Sequence, residues 1–387
     1  METKRIKLAI LSIAALLMIS MTASAILADI EFHFSAVDES VIQMVLTIPA
    51  LLGMIFAFAA GPLSLWISKK NLVIFSIVNG LIGGLIALIL GPLAIGFLLF
   101  ASVLMGVAQG INATMTMALI TDYFSGEERS TMMGLQSAFL NGGSMVLLFI
   151  SGLLADFRWN HAYLVYLAFL PVLLIVIRNL PQDRPAQPEY SKNRDGSGKL
   201  NASVYFIAFC IFLFGSFFFV FQTNIALFVV SKGYGDATLS GMINSTLSAA
   251  GMVAGICYGK IKHHLKIMTI PIGIVAVGLG MAIIYFVGTL VSIFVAAIFV
   301  GLGISTVMAT AIFMAANIVK NGMQSSAIAL VTAAVNLGMF ASPLLFNMIS
   351  VQAAGNPSIK FMVSSICLLL LAIMFTYGNH FILKKQN

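Results

Sequence analysis

The chain has 387 residues, of which 60% are hydrophobic and only 9% are charged, with 33 glycines and a formal net charge of +7. A soluble domain cannot bury this much apolar surface, and no basic run is interleaved with the aromatic residues that a nucleic-acid surface needs. The composition therefore predicts an integral membrane protein that binds no nucleic acid.

Twelve apolar segments follow one another along the chain, most of them near or above the roughly 20 residues that a helix needs to cross a bilayer. The segments are 8–28, 41–67, 72–90, 94–121, 131–155, 161–180, 204–230, 238–258, 267–286, 288–316, 326–350 and 359–382. The least distinct break lies near Gly288, between the ninth and tenth segments. The expected fold class is an all-α polytopic membrane protein with twelve transmembrane helices.

Basic residues predict the orientation of these segments. With the N-terminus placed inside, all of the 20 lysines and arginines except Arg158, Lys232 and Lys360 fall on the inner side. Cytoplasmic loops carry such an excess in membrane proteins. We therefore expect both termini in the cytoplasm and a multi-pass protein of the plasma or inner membrane.

Six segments precede the longest polar stretch of the chain and six follow it. The sequence predicts an N-terminal six-helix bundle at 1–180, a cytoplasmic linker at 181–203 and a C-terminal six-helix bundle at 204–387.

The two halves also resemble each other in sequence. A shift by 195 residues aligns Gly106 with Gly301 and Gly143 with Gly338, at matching places in the two sets of six segments. Parallel six-helix repeats are the plan of one large transporter fold.

One stretch carries a family resemblance. Asp122-Tyr123-Phe124-Ser125-Gly126-Glu127-Glu128-Arg129, followed by Met133-Gly134-Leu135-Gln136-Ser137, resembles the connector between the fourth and fifth helices of the major facilitator superfamily. The resemblance covers nearly the whole chain. It implies two pseudo-symmetric six-helix bundles that work by alternating access around a site near the middle of the membrane. Within the superfamily the connector looks closest to that of bacterial exporters and drug-efflux members, which implies efflux.

The chain departs from the family at positions that concern energy coupling. Leu65 stands where the signature between the second and third helices has an aspartate, and Ser102 stands where proton-coupled members have an arginine. The resemblance therefore implies the fold but not a coupling mechanism.

Four charged residues at the inner ends of the segments form a candidate site. Lys69, Lys70, Asp122 and Arg129 have opposite charges on helices that the resemblance makes neighbours. We predict an inner-side lock in which Asp122 pairs with Arg129 or with the two lysines.

All 13 acidic residues lie in tails, loops or segment ends. An ionisable residue inside a span costs at least ~2.5 kcal/mol to insert, so its presence usually marks a relay or a substrate site. Asp29 and Glu31, at the outer end of the first segment, are the remaining proton-site candidates. The alternative is a hydrated outer loop. We expect transport that is uncoupled or that is coupled through one of these two groups.

Uncharged polar side chains do occur inside the segments. Residues at helical spacing in the fourth segment, and others in the seventh and eighth, are candidates for substrate binding. They are Gln109, Asn112, Thr116, Phe218, Gln222, Asn224 and Asn244. Phenylalanines beside amides suit an amphiphilic or neutral organic ligand. The alternative is that these side chains only hold neighbouring helices together.

The leading functional interpretation is a secondary active or facilitative transporter that exports a small amphiphilic or neutral organic molecule. Uptake or uniport of a neutral solute such as a sugar is one alternative, and a lipid flippase or a non-transporting membrane sensor is another. The sequence contains no phosphate-binding loop, catalytic triad or metal cluster, so we expect no enzyme, no metal and no cofactor. The expected partners are the substrate and the bilayer, and the protein is expected to act as a monomer.

Overall fold

The computed structural model describes residues 2–183, 201–319, 323–352 and 357–384. All regular secondary structure in these ranges is helical, and twelve helices there are long and apolar enough to cross a membrane. The predicted fold class is therefore confirmed.

We number the twelve helices in chain order. Two of them, helices 1 and 6, contain both α and 3-10 segments. Helix 1 comprises an α segment at Glu2–Ala15 and a 3-10 segment at Ile19–Ser24, and helix 6 comprises a 3-10 segment at Trp159–Ala168 and an α segment at Phe169–Asn179. The other ten are Glu39–Leu63, Lys69–Ile89, Ile95–Tyr123, Gly126–Ala155, Ala202–Ser231, Ala237–Leu265, Thr269–Phe286, Leu290–Ile318, Gln324–Gln352 and Pro357–Lys384.

Short elements join some of these helices. A seven-residue α-helix at Leu27–His33 follows helix 1, and 3-10 turns lie at Gly91–Leu93 and Lys266–Met268. The break near Gly288 is present, since Gly288 adopts a φ of 57° between helices 9 and 10. This left-handed backbone favours glycine, and it lets the chain reverse direction between two otherwise continuous apolar segments.

The chain forms two compact units. The first contains helices 1 to 6 together with 235–245, and the second contains helix 7, the rest of helix 8 and helices 9 to 12. Of the predicted linker, 184–200 lies outside the described residues, so the linker stays a prediction.

The sequence repeat corresponds to equivalent packing in the two units. Gly143 of helix 5 lies against the backbone of Ala15 in helix 1, and Gly338 of helix 11 lies against the backbone of Phe212 in helix 7. A Cβ at either glycine would clash with the facing carbonyl oxygen. The aligned glycines therefore mark the same close helix approach in each half.

Helix 1 differs from the continuous segment predicted at 8–28. Its α segment ends at Ala15, three residues of turn follow, and the next six residues are 3-10 helix. Apolar length predicted the span correctly but not this change of geometry, because the mean hydropathy of a segment does not depend on its hydrogen-bond register.

Candidate functional site

The backbone of helix 1 tightens near its middle. The amides of Leu16 and Leu17 donate to the carbonyls three residues before them, at 3.1 and 3.2 Å, and Ile19 and Met21 continue the same pattern. A stretch of 3-10 backbone inside a helix often marks a functional hinge. At membrane depth such backbone is tolerated only where protein or a cavity surrounds it.

Helix 6 contacts helix 1 at this level. The Tyr166 hydroxyl donates to the Ile19 carbonyl at 3.1 Å, and the ring is 1% exposed. Gly84 of helix 3 makes room for it, since a Cβ there would clash with the Tyr166 side chain. The 3-10 segments of helices 1 and 6 therefore pack together inside the first unit.

Two of the predicted amides lie beside this contact. The Ser20 hydroxyl of helix 1 donates to Gln109 Oε1 at 2.8 Å, and the Ser76 hydroxyl of helix 3 donates to Asn112 Oδ1 at 2.5 Å. Gln109 and Asn112 line a small cavity of about 10 Å³ together with Ser20 and Tyr166. No acid, lysine, arginine or histidine is among the described residues that line it. The first unit therefore holds an uncharged cavity with a few polar groups on a mainly apolar lining, which we call the polar cavity.

Thr116 does not join this cavity. Its hydroxyl is fully buried and donates to the Asn112 carbonyl of its own helix at 2.6 Å. This contact supports the helix backbone and favours the packing alternative for that residue.

The seventh-helix candidates lie in the second unit. Phe218 packs its ring 5.1 Å from that of Phe214, and Asn224 donates to the Val220 carbonyl at 3.0 Å. Gln222 is 8% exposed, and its Oε1 has no hydrogen-bond partner among the described residues. A buried acceptor of this kind costs about 1–3 kcal/mol unless water or a ligand donates to it.

Asn244 lies in the part of helix 8 that belongs to the first unit. Its side chain is fully buried and donates to the Ser240 carbonyl at 3.1 Å, while its Oδ1 has no partner within the described ranges. Nearby, Thr238 donates to Asp156 Oδ1 at 2.6 Å, and Gly152 and Gly241 bring helices 5 and 8 close together. Helix 8 therefore adds a further buried amide to this unit, outside the cavity.

The charged residues around helix 3 lie close together. Lys69 and Asp122 form a salt bridge, and Lys70 Nζ donates to the Ile177 and Leu180 carbonyls at 2.9 and 2.6 Å. Asp183 accepts from the backbone amides of Lys69 and Lys70 at 2.8 and 3.2 Å, where a helix N-terminus favours a carboxylate.

Arg129, the fourth member of the predicted lock, is exposed and forms no ion pair within the described ranges. The pairing of Asp122 is therefore with Lys69, one of the two alternatives left open, and the locking role itself stays a prediction.

The two proton-site candidates belong to the short helix Leu27–His33. Asp29 and Glu31 are both half-buried there, so the segment is not a fully hydrated loop. Burial raises the pKa of Asp29 from 3.8 to about 6, and repulsion by Asp236 and more weakly by Asp156 adds to that shift. Asp29 can therefore change its charge near neutral pH.

The sequence did not identify the hydroxyl groups around the two amides. Ser20, Ser76 and Tyr166 lie on three different helices, and only their contacts show that they belong to one site. A helical spacing reveals a shared face on one helix but not the partner on the next. No group of three or more metal-ligating side chains occurs among the residues that the structure describes.

Comparisons with known proteins agree on the fold. The family model described as Major Facilitator Superfamily matches residues 8–343, and no curated protein matches the chain. The POT family transporter PepTSo has a similar structure, with a TM-score of 0.79 and 12% identity over 99% of both chains. The nucleoside transporter NupG gives 0.78 and 13% identity over 97% of this chain and 99% of that one. A peptide transporter POT gives 0.76 and 11% identity, over 95% and 93%. At such identities the likeness shows the fold alone.

Proposed function

Because the chain belongs to the Major Facilitator Superfamily and is a membrane transporter rather than an enzyme, we propose that it moves a small uncharged or amphiphilic organic molecule. The mechanism is alternating access by the two six-helix halves, with efflux as the direction.

The observation that carries this substrate class is the uncharged polar cavity of the first unit. Gln109 and Asn112 line it without a charged neighbour among the described residues. A charged substrate would lose its hydration there without gaining an opposite charge, which is costly at low dielectric. An uncharged molecule needs only hydrogen bonds and apolar contacts, and the cavity offers both to the polar atom of the molecule that enters it.

Efflux is supported by the connector between helices 4 and 5, whose residues resemble those of bacterial exporters. Uptake of a neutral solute is the competing direction. Purified protein in liposomes, tested with a panel of uncharged solutes and amphiphiles loaded on either side, separates the two. Downhill movement of none of them would overturn the proposal.

The role of the amides is tested by single substitutions. Gln109→Leu, Asn112→Leu, Gln222→Leu and Asn224→Leu should each lower transport roughly ten- to a hundredfold at equal expression, since an unpaired polar group costs ~1–3 kcal/mol. Thr116→Val is the matched control, because its hydroxyl serves its own helix. Full transport by all four leucine variants would assign these residues to packing.

For energy coupling we propose Asp29 as the group that binds and releases a proton. Its pKa of about 6, caused mainly by burial, supports this role. Uphill accumulation under a pH gradient should be lost in Asp29→Asn, whereas downhill exchange should remain. Uphill transport that survives this substitution would mean that a group other than Asp29 binds and releases the proton.

The proposed orientation places both termini and the linker in the cytoplasm. Cysteines introduced between 184 and 200 should resist an impermeant thiol reagent added outside intact cells. A cysteine at Lys232, on the opposite side in this topology, is the positive control. Clear labelling in the linker would refute the orientation.

A further inference from the structure

We infer that the polar cavity at the break in helix 1 is a recognition site for one hydrogen-bond-accepting oxygen of an uncharged ligand, with the apolar body of the ligand in the adjacent groove. The ligand class is thus a ketone-, ester- or ether-bearing amphiphile rather than a hydrocarbon or an ion. This inference rests on the proposed function and narrows its substrate.

The first step concerns the polarity of the two amides. The Ser20 hydroxyl donates to Gln109 Oε1, and the Ser76 hydroxyl shares its proton between Asn112 Oδ1 and the Val73 carbonyl. Both amide oxygens are therefore engaged by serines of other helices. The amide N–H groups of Gln109 and Asn112 have no hydrogen-bond partner among the described residues, so donors are what the pair offers to an occupant.

The second step concerns size. The cavity has about 10 Å³ for an occupant, which is close to the least that can hold one water molecule. One oxygen atom of a ligand fits this space, but a ring or a charged head group with its hydration does not. The site therefore reads a single acceptor atom.

The third step places the rest of the ligand. Leu16 lines the polar cavity and also an open groove of about 460 Å³ between helices 1 and 5. The groove is walled by Ala15, Phe139, Gly143, Val146 and other apolar residues, and Gly143 lets helix 5 approach helix 1 closely beside it. A volume of this order accommodates a small organic molecule. Leu16 is the first residue after the α segment and lines both spaces, so they meet at its side chain where the helix is interrupted.

The interruption itself favours a binding role. Discontinuous membrane helices build ligand sites in several transporter folds because they bring polar groups to mid-membrane depth. Here the 3-10 segment of helix 1 positions Ser20 against Gln109, and Tyr166 of the second 3-10 segment holds the Ile19 carbonyl. The irregular backbone is thus fixed by side chains that also line the cavity.

The test uses two probes that differ in one atom group. In 2-acetylnaphthalene the carbonyl oxygen can accept a hydrogen bond, whereas 2-isopropenylnaphthalene has a CH2 group in its place. Binding of tritiated 2-acetylnaphthalene to the purified full-length protein in nanodiscs is measured by scintillation proximity, with empty nanodiscs subtracted. The unlabelled ketone should compete about tenfold better than the alkene, after correction for membrane partition.

Three variants make the result specific. Gln109→Met keeps the side-chain shape and should reduce the ketone preference to within about twofold, while alkene binding is retained. Ser20→Ala removes only the orienting hydroxyl and should also weaken the preference, which provides a second test if Gln109→Met folds poorly. Asn79→Leu is the matched control, because the Asn79 amide donates to the Phe75 carbonyl of its own helix and does not line the cavity.

Equal competition by both probes, no saturable binding of either, or a preference that Gln109→Met and Ser20→Ala leave unchanged would overturn the inference. Transport of the ketone in liposomes is measured separately. If the protein prefers the ketone to the alkene but does not transport it, the proposed function is wrong and the binding site stands. If the protein transports the ketone but Gln109→Met and Ser20→Ala leave the ketone preference unchanged, the binding site is wrong and the proposed function stands.

Discussion

Gln222 offers a test in which stability and activity should move in opposite directions. Its side chain is 8% exposed, and its Oε1 has no partner among the described residues. Gln222→Met keeps the length and volume of the side chain and removes this acceptor. If no ligand is bound, the substitution should raise the free energy of unfolding by about 1–3 kcal/mol, the cost of a buried unsatisfied group.

The assay compares the thermal unfolding of purified variants with their transport in liposomes. A gain of 1 kcal/mol raises the melting temperature by about 2–4 °C in domains of 150–250 residues, so Gln222→Met should melt a few degrees higher. Transport should fall about tenfold, because the substrate loses a hydrogen-bonding partner.

Gln43 is the matched control, since it is fully buried as well but its Nε2 donates to Glu39 Oε1 at 2.7 Å. Gln43→Met should therefore lower the melting temperature. A Gln222→Met protein that is less stable than the wild type, or that is more stable with unchanged transport, would refute the reasoning.

Three further predictions concern other parts of the first unit. Lys69→Met breaks a salt bridge and should increase alkylation of a reporter cysteine in the transport path, whereas Arg129→Met should not. Asp29 is protonated below its pKa of about 6 and charged above it, so Asp29→Asn should abolish the change in transport rate between pH 5 and 7. Gly143→Ala should destabilise the protein by about 1–3 kcal/mol through overpacking, measured by thermal unfolding. Gly134→Ala should stabilise it slightly, because among the described residues nothing outside the backbone of its own helix lies within 4 Å of the added Cβ.

Each of these three predictions would be contradicted by a specific result. Equal alkylation in the two charge variants would remove the locking role of the salt bridge. A pH profile unchanged by Asp29→Asn would exclude that carboxyl as the titrating group. Equal melting temperatures for the two alanine variants would mean that helices 1 and 5 can move apart to admit a methyl group without a loss of stability.

The sequence predicted the helices because apolar length alone identifies them, and it identified the repeat because Gly106 and Gly143 have equivalents at positions with the same packing requirement. It could not predict that helix 1 leaves α geometry after Ala15, since hydropathy does not distinguish helices that differ only in hydrogen-bond register. It also could not pair Gln109 with Ser20, because that contact joins helices far apart in the chain.

The contacts of the charged residues Lys69, Asp122 and Asp183 were also only partly predictable from the sequence. Lys69 and Asp122 were recognised from opposite charge at helix ends, and their contact is one that charge alone predicts. Asp183 was not recognised from the sequence. It accepts hydrogen bonds from backbone amides at the start of helix 3, and no charge pattern indicates such a partner.

The ten residues of 3-10 backbone in helix 6 also affect how the protein fits the bilayer. A 3-10 helix rises about 2.0 Å per residue and an α-helix about 1.5 Å, so this segment makes helix 6 about 5 Å longer than an α-helix of equal residue number. Its 21 residues reach as far as about 24 residues of α-helix would. The added length carries Trp159 toward the head-group region, where indole rings are favoured, and Asn160 fixes this end by donating to the Leu88 carbonyl at 2.8 Å. Helix 6 is thereby about 36 Å long, whereas 21 residues of α-helix would already span a hydrocarbon core of about 30 Å, so the excess length has to be accommodated by tilt or at the interface.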